Sequence, residues 1–370
     1  MAARRTRSRF FAVNMNKNCQ PEYNAWMHYF ALATAISTFL LLGLGGLVTS
    51  HEAGMSVPDW PTTYGYNMFL FPISKWVGGI KYEHSHRLLA STVGLLTVVL
   101  AVWVWLREAR PWMRRLGLVA VVGVIAQGVL GGLRVRWNNP ELGVIHGTVG
   151  QLFFMLVCAF VLFTSRWWLR LADGKNLPLV PGGLRLLVLA TTSLIFVQLM
   201  LGTTMRGQHA GLAIPDFPLA YGQLWPDTSE AAITKYNANR VEAVTEAPIT
   251  AFQVILQMVH RLVAVAILVA VAASCWQAWR QLGGRDVLAR VAIGWLLLIL
   301  TQIGLGIATI LTNKAADIAT LHVMTGALSL VTGALWCVIA FRRSGSWSKI
   351  ASESARSGAL NAPLAMAGNK

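Results

Sequence analysis

The sequence predicts an all-α polytopic membrane protein, with eight transmembrane helices in two tandem four-helix bundles. Three observations predict it. Of the 370 residues, 55% are hydrophobic and only 12% charged, about half the charged share usual in soluble domains. The apolar residues come in runs of about 20, the length that crosses a hydrocarbon core about 30 Å thick. One loop-like sentence also occurs twice: HEAGMSVPDWPTTYG at 51–65 and QHAGLAIPDFPLAYG at 208–222, 157 positions apart, share the frame A-G-x-x-x-P-D-[WF]-P-x-x-Y-G.

Taken in order, the spans fall at approximately 27–49, 82–106, 115–135, 144–165, 185–206, 249–278, 288–312 and 317–341. The repeat extends through them. HRLLA at 86–90 returns as HRLVA at 260–264, QGVLGGL at 127–133 as QIGLGIA at 302–308, and IHGTVG at 145–150 as LHVMTG at 321–326. An even number of spans separates the copies, so the halves are parallel repeats. The expected organisation is a cytoplasmic segment at 1–26, a first half at 27–165, a linker at 166–184, a second half at 185–341 and a tail at 342–370. Asp173, Gly174, Pro178 and Pro181 mark the linker as the seam. In the outer loops, the Pro-Asp-aromatic-Pro core reads as a turn-rich element. It folds over the bundle mouth, or its aromatic, Trp60 or Phe217, covers a flat apolar ligand.

The formal net charge of +16 is not a nucleic-acid signal. With the N-terminus inside, 21 of the 31 Lys/Arg fall on the inner side, while the 10 outside are matched by as many acidic residues. Positive charge retained on the cytoplasmic face explains this, and it places both termini inside. Cys19, Cys158, Cys275 and Cys337 form no pair in an outer loop, so no structural disulfide is expected.

Four histidines are matched by the repeat, His86 with His260 and His146 with His322, with 60 residues between the two in the first half and 62 in the second. Each lies a short way into its span from the outer end. A single intramembrane histidine is commonly a satisfied polar group; four paired by symmetry at one depth mark a site. Zinc favours four ligands, and no cysteine or carboxylate set is repeated here. Copper favours added sulfur ligands. Haem iron takes axial imidazoles from opposite sides and needs an apolar slot between helices. Glycines flank such slots: Gly128, Gly131, Gly132, Gly147 and Gly150 in one half, and Gly304, Gly306 and Gly326 in the other. Arg87, Arg261, Arg134 and Arg136 are candidate partners for haem propionates, or else anchors for lipid phosphates.

The halves differ at one informative position. Aligning His86 on His260 sets Glu83 opposite Gln257. Glu83 shares a helix face with His86, and a carboxylate there is costly unless paired or used. Gln257 keeps the shape without a proton to trade. The first half can therefore perform acid/base chemistry, whereas the second only holds its ligand. The alternative is that Glu83 simply pairs with Arg87 one turn along.

At these residues the chain resembles the haem A synthase family: Glu-x-x-His-Arg, here EHSHR at 83–87, with His146, His260 and His322 in the other even-numbered spans. The resemblance covers roughly 27–341. It implies an oxidoreductase that converts the C8 methyl of haem O to a formyl, giving the haem A required by aa3-type cytochrome oxidases. It further implies a b-type haem, with its iron between His260 and His322, substrate haem O at His86 and His146, and an essential Glu83. Successive hydroxylations and loss of water from a gem-diol would deliver the aldehyde, with Glu83 accepting a proton, orienting water or stabilising positive charge. The electrons leaving the substrate have the second haem as a natural nearby acceptor. A haem O synthase is the implied supplier. Cysteine pairs found in the outer loops of some family members are absent here, so chemistry that needs those thiols does not operate. His84, inside the motif, faces elsewhere and is not read as a ligand.

The leading rival is a membrane dihaem b-type cytochrome. It would stack haems towards opposite faces of the bilayer, whereas all four histidines lie near the outer one. A repeat-built transporter would show broken helices near the midplane, and no internal proline is repeated. The bacterial plasma membrane is the preferred location and the mitochondrial inner membrane the alternative. The chain contacts membrane lipids and is compatible with a homo-oligomer; its ultimate electron acceptor is open.

Overall fold

The computed structural model describes residues 23–172, 178–239 and 248–344. Eight long helices cross the membrane: α1 Ala25–Ser50, α2 Gly78–Arg107, α3 Pro111–Trp137, α4 Pro140–Thr164, α5 Gly182–Gly207, α6 Ala251–Leu282, α7 Val287–Leu311 and α8 Ala316–Arg342. Two shorter helices, Arg166–Ala172 and Glu230–Ala238, lie between spans, and no strand occurs among the described residues. The chain is an all-α integral membrane protein.

Local chemistry sets the ends that matter for the site. Pro111 and Pro140 each open a helix, where the missing N–H is no loss. Asn138 at φ +45° closes α3, and Asn139 caps α4 with its side chain, so the hairpin between them is tight. Thr250 and Gln253 form a reciprocal capping box at the start of α6.

Four boundaries lie four residues beyond the expected runs: the starts of α3 at Pro111 and α4 at Pro140, the end of α6 at Leu282, and the start of α2. α2 starts at Gly78, at φ +52°, four residues earlier than the hydropathy run suggests. Its first turn contains two glycines and a lysine, which hides it from an apolar window. His86 is therefore eight residues in, roughly 12 Å along the axis, almost the same as His260 in α6. His146 and His322 each lie six residues in from the starts of α4 and α8.

Helices α1–α4 pack in a ring, α1 on α2 and α4, and α3 on α2 and α4; α5–α8 pack in the same way. The rings meet where α1 touches α8 and where α4 touches α5 and α8. α8 is accordingly the most buried span, half of its apolar stretch lying inside the protein. Close approach at this seam uses small residues. Met324 lies against Gly43, Thr320 against Gly46, and the hydroxyls of Thr148 and Thr203 are 3.0 Å apart. At the opposite end of the second ring, Arg343 grips Asp286 with two hydrogen bonds of 2.7 and 2.9 Å, both side chains buried, and donates to the Pro178 carbonyl. Cys158, Cys275 and Cys337 are free thiols; Cys19 lies outside the described residues.

Candidate active site

The duplicated loop is a small clamp built twice from the same bonds. In the first copy Asp59 accepts from the backbone N–H groups of Tyr64 (2.7 Å) and Gly65 (2.9 Å) and from the Thr62 hydroxyl. In the second, Asp216 accepts from Tyr221 (2.8 Å) and Gly222 (2.9 Å). The Tyr64 hydroxyl donates to the Ser56 carbonyl and that of Tyr221 to Ala213, both at 2.5 Å. Gly65 and Gly222 both adopt φ +76°, a conformation that excludes a side chain at low cost only for glycine. This accounts for Asp, Tyr and Gly in the shared P-D-x-P-x-x-Y-G frame: each closes a bond of the turn. Burial pushes the Asp59 carboxyl up, but the Gly65, Thr62 and Tyr64 donors outweigh it, holding its pKa below the usual carboxylate value.

Each clamp is fastened to the helix below it. Glu83 Oε2 accepts from the Val57 N–H at 2.9 Å, and Gln257 Oε1 accepts from the Ile214 N–H at 2.7 Å, the matching loop position. Glu83 Oε1 also accepts from Arg87 at 2.7 Å, so the ion pair read as an alternative from sequence is present. Arg87 donates further to the carbonyls of Val57, Asp59 and Thr62, and Arg261 to those of Asp216 and Leu219. These arginines, candidates for propionates from sequence, clasp the carbonyls of the folded loop.

Below the clamps the four histidines come together in pairs, His86 with His146 and His260 with His322, close enough to interact electrostatically. Each imidazole turns its Cε1 edge towards a glycine of the preceding helix. A Cβ on Gly45 would come 3.1 Å from Cε1 of His86, on Gly131 3.2 Å from that of His146, on Gly202 3.5 Å from that of His260, and on Gly306 3.0 Å from that of His322. Gly131 and Gly306 are among the glycines singled out from sequence; Gly45 and Gly202 are not, although they too are 157 positions apart. The Nδ1–H of His322 donates to the Gln302 carbonyl at 3.0 Å, which puts the lone pair on Nε2, where the Gln302 side-chain amide lies 3.4 Å away. Gln127, the repeat partner of Gln302, has its amide 3.1 Å from His146 Nδ1.

The donor set fits a haem. Each site offers two imidazoles, and no group of three or more His, Cys, Asp or Glu that would form a protein-only metal cage occurs among the described residues. The buried Nδ1 atoms of His86 and His260 have no hydrogen-bond partner among the described residues.

Two further arginines lie at the sites. Arg134 lies between Gly54 and Gly143, with no hydrogen bond to a described residue, and interacts electrostatically with Glu83, His86 and His146. Arg206, not singled out from sequence because nothing matches it in the repeat, reaches from α5 to the Gly46 carbonyl (2.9 Å) and the Ser50 hydroxyl (3.0 Å) across the seam, and faces His322. Arg136 is exposed. His84 is fully buried under the first loop, with Nδ1 3.2 Å from the Thr63 hydroxyl, away from the pair. His51 stacks on Tyr82 and His209 lies near Glu52, both at the outer surface. Trp60 packs on Gly132 of α3, one residue from the rest of His146, whereas Phe217 is exposed.

A family model described as cytochrome oxidase assembly protein, COX15-CtaA, matches residues 79–334, from the first turn of α2 into α8. The chain belongs to this family. Its relatives include a protein of Lysinibacillus sphaericus named heme A synthase, 26% identical over 327 residues, covering 86% of this chain and 95% of the relative. Proteins of the same name from Rhodospirillum centenum (27% over 342 residues, 82% and 85%) and a Bradyrhizobium species (29% over 327 residues, 80% and 86%) are similar along nearly the whole chain. Both histidine pairs, Glu83 and Gln257 fall inside the matched family region.

Proposed function

We propose that this protein is a haem A synthase, an oxidoreductase that converts the C8 methyl of haem O to a formyl in the bacterial plasma membrane. The observation that carries this reading is a chemical difference at matched positions of two sites of similar construction. Glu83 and Gln257 receive the same loop N–H, and only one of them is a carboxylate. Family membership and the names of the relatives support an enzyme of haem A formation.

In this reading His260 and His322 hold a resident b-type haem, which supplies a one-electron redox centre when bound. His86 and His146 hold the substrate haem O beside Glu83. Arg134, lying between two glycines with no side-chain hydrogen bond among the described residues, receives a propionate of the substrate, and Arg206 serves the resident group. Both Glu83 oxygens already accept from donors of the chain. With Arg87 held on one of its oxygens, the arrangement supports Glu83 as a fixed negative charge that stabilises positive charge developing at the oxidised carbon. All four histidines sit near one membrane face, which supports an outward-facing site and weighs against a transmembrane electron relay. The basic inner segments support cytoplasmic termini, and a haem O synthase is the supplier of substrate.

The test is haem analysis after co-expression with a haem O synthase. Purified protein is expected to yield haem B together with haem O, its hydroxylated product or haem A. Two b-type haems and no altered haem O would overturn the reading in favour of an electron-transfer cytochrome.

A further inference from the structure

Past the Tyr-Gly turn the two outer loops part company. In the first, residues Met68–Leu70 and Ile73–Lys75 form successive 3-10 turns, the earlier one capped by Asn67, whose Oδ1 accepts from Phe69 N–H at 2.9 Å. Two aromatics pin this segment to the protein. Phe71 is buried against Tyr64, Tyr66 and His84. Trp76 meets His84 edge-on with centroids 4.7 Å apart. With these pointing inward, the remaining large apolar side chains point outward: Phe69, Leu70, Ile73 and Val77 are 67%, 77%, 81% and 63% exposed. Exposed apolar residues scattered singly are ordinary, but a cluster on a rigid segment marks an interaction surface. In the second half, the corresponding stretch exposes only Leu224 and Trp225 as large apolar side chains before the polar helix Glu230–Ala238, which is capped by Ser229 and buries no side chain.

We infer that residues 69–77 are an interfacial membrane anchor, and that the partner covering them is the lipid of the outer leaflet. The segment runs directly into α2 at Gly78, so its apolar face continues the lipid-facing surface on which Leu95, Val98 and Val102 are exposed. Its charge matches lipid phosphate: Lys75 and Lys81 flank the apolar cluster, and no acidic residue lies between Asp59 and Glu83. Lys75 Nζ bonds the Tyr66 hydroxyl at 2.9 Å, and Lys81 lies 4.8 Å from the Tyr82 ring centre. Lysines with aromatic neighbours around an apolar wedge are the composition of a headgroup boundary. The polar helix of the second half, with Asp227 and Glu230 against Lys235, suits water. Because Phe71 and Trp76 enclose His84, and Glu83 is the next residue, seating the wedge in lipid braces the clamp over Glu83. The anchor does not depend on the reaction assigned above.

The test places nitroxide labels at Leu70→Cys and Ile73→Cys in the full chain, with the four native cysteines replaced by alanine, in phosphatidylcholine–phosphatidylglycerol nanodiscs. Leu95→Cys is the lipid control and Glu230→Cys the water control. Labels at 70 and 73 are expected to be relaxed by oxygen more than by a water-soluble nickel chelate, as at 95. A response like that at 230 would overturn the anchor. Shielding from both reagents with an immobilised spectrum would also overturn it, and would give the face to a protein partner or a second copy. A second measurement keeps the native cysteines: a benzophenone amino acid at position 73 is expected to yield lipid adducts by mass spectrometry. Adducts to protein alone, while the same probe at 95 captures lipid, would contradict the proposal.

Discussion

At the scale of single residues, the packing of the histidines is as telling as their number. Each ring rests on a glycine, and the tightest contact is Gly306 against His322. A Gly306→Val chain must displace that ring, an overpacking that costs about 1–3 kcal/mol, roughly a 10- to 100-fold loss of affinity for the resident haem. Haem-to-protein ratio after purification, read from the Soret band, checks it; an unchanged ratio would show that the contact does not position the ligand. The histidines and Glu83 were readable in the sequence because the repeat pairs them. Gly45, Gly202 and Arg206 were not. The first two lie in spans already rich in small residues, and Arg206 has no repeat partner. The work of Arg87 and Arg261 was equally hidden, since it depends on loop carbonyls brought near by folding.

At the scale of elements, the loop clamp gives the outer surface a defined response to acid. Asp59 has a folded pKa below its unfolded value of about 3.9, so the unfolded loop binds the proton more readily. Its contribution is therefore complete above that unfolded value and disappears as pH falls through the lower, folded one. Hydrogen exchange at the Tyr64 and Gly65 amides is expected to be equally protected, after correction for intrinsic rate, from neutral pH down to about 5. Protection lost already between pH 7 and 6 would assign it to another group. Asp59→Asn should remove the acid step. The helices themselves were legible as eight apolar runs, each boundary within a few residues. The early start of α2 escaped because glycines and Lys81 interrupt the hydropathy where the helix leaves the membrane.

At the scale of the whole molecule, two matched rings meet at a seam of small residues, and the second ring carries a buried ion pair at its end away from the histidines. Arg343→Ala leaves Asp286 buried with no guanidinium, and breaking such a pair costs about 3–5 kcal/mol. Thermal unfolding in detergent should show a clear drop in midpoint for Arg343→Ala and a smaller one for Arg343→Lys; an unchanged midpoint for both would show the pair to be idle. The same duplication that builds the rings isolates what distinguishes them. Gln257 shows that a glutamine accepts the loop N–H in this geometry, so Glu83→Gln removes the charge while the clamp keeps its anchor. The measurement that tests this division of labour most directly is the haem content of cells co-expressing a haem O synthase with the wild type, Glu83→Gln or Gln257→Glu. The account predicts haem A from the wild type, only haems B and O from Glu83→Gln with the resident haem retained, and haem A from Gln257→Glu. Haem A from the Glu83→Gln chain at the wild-type level would contradict it.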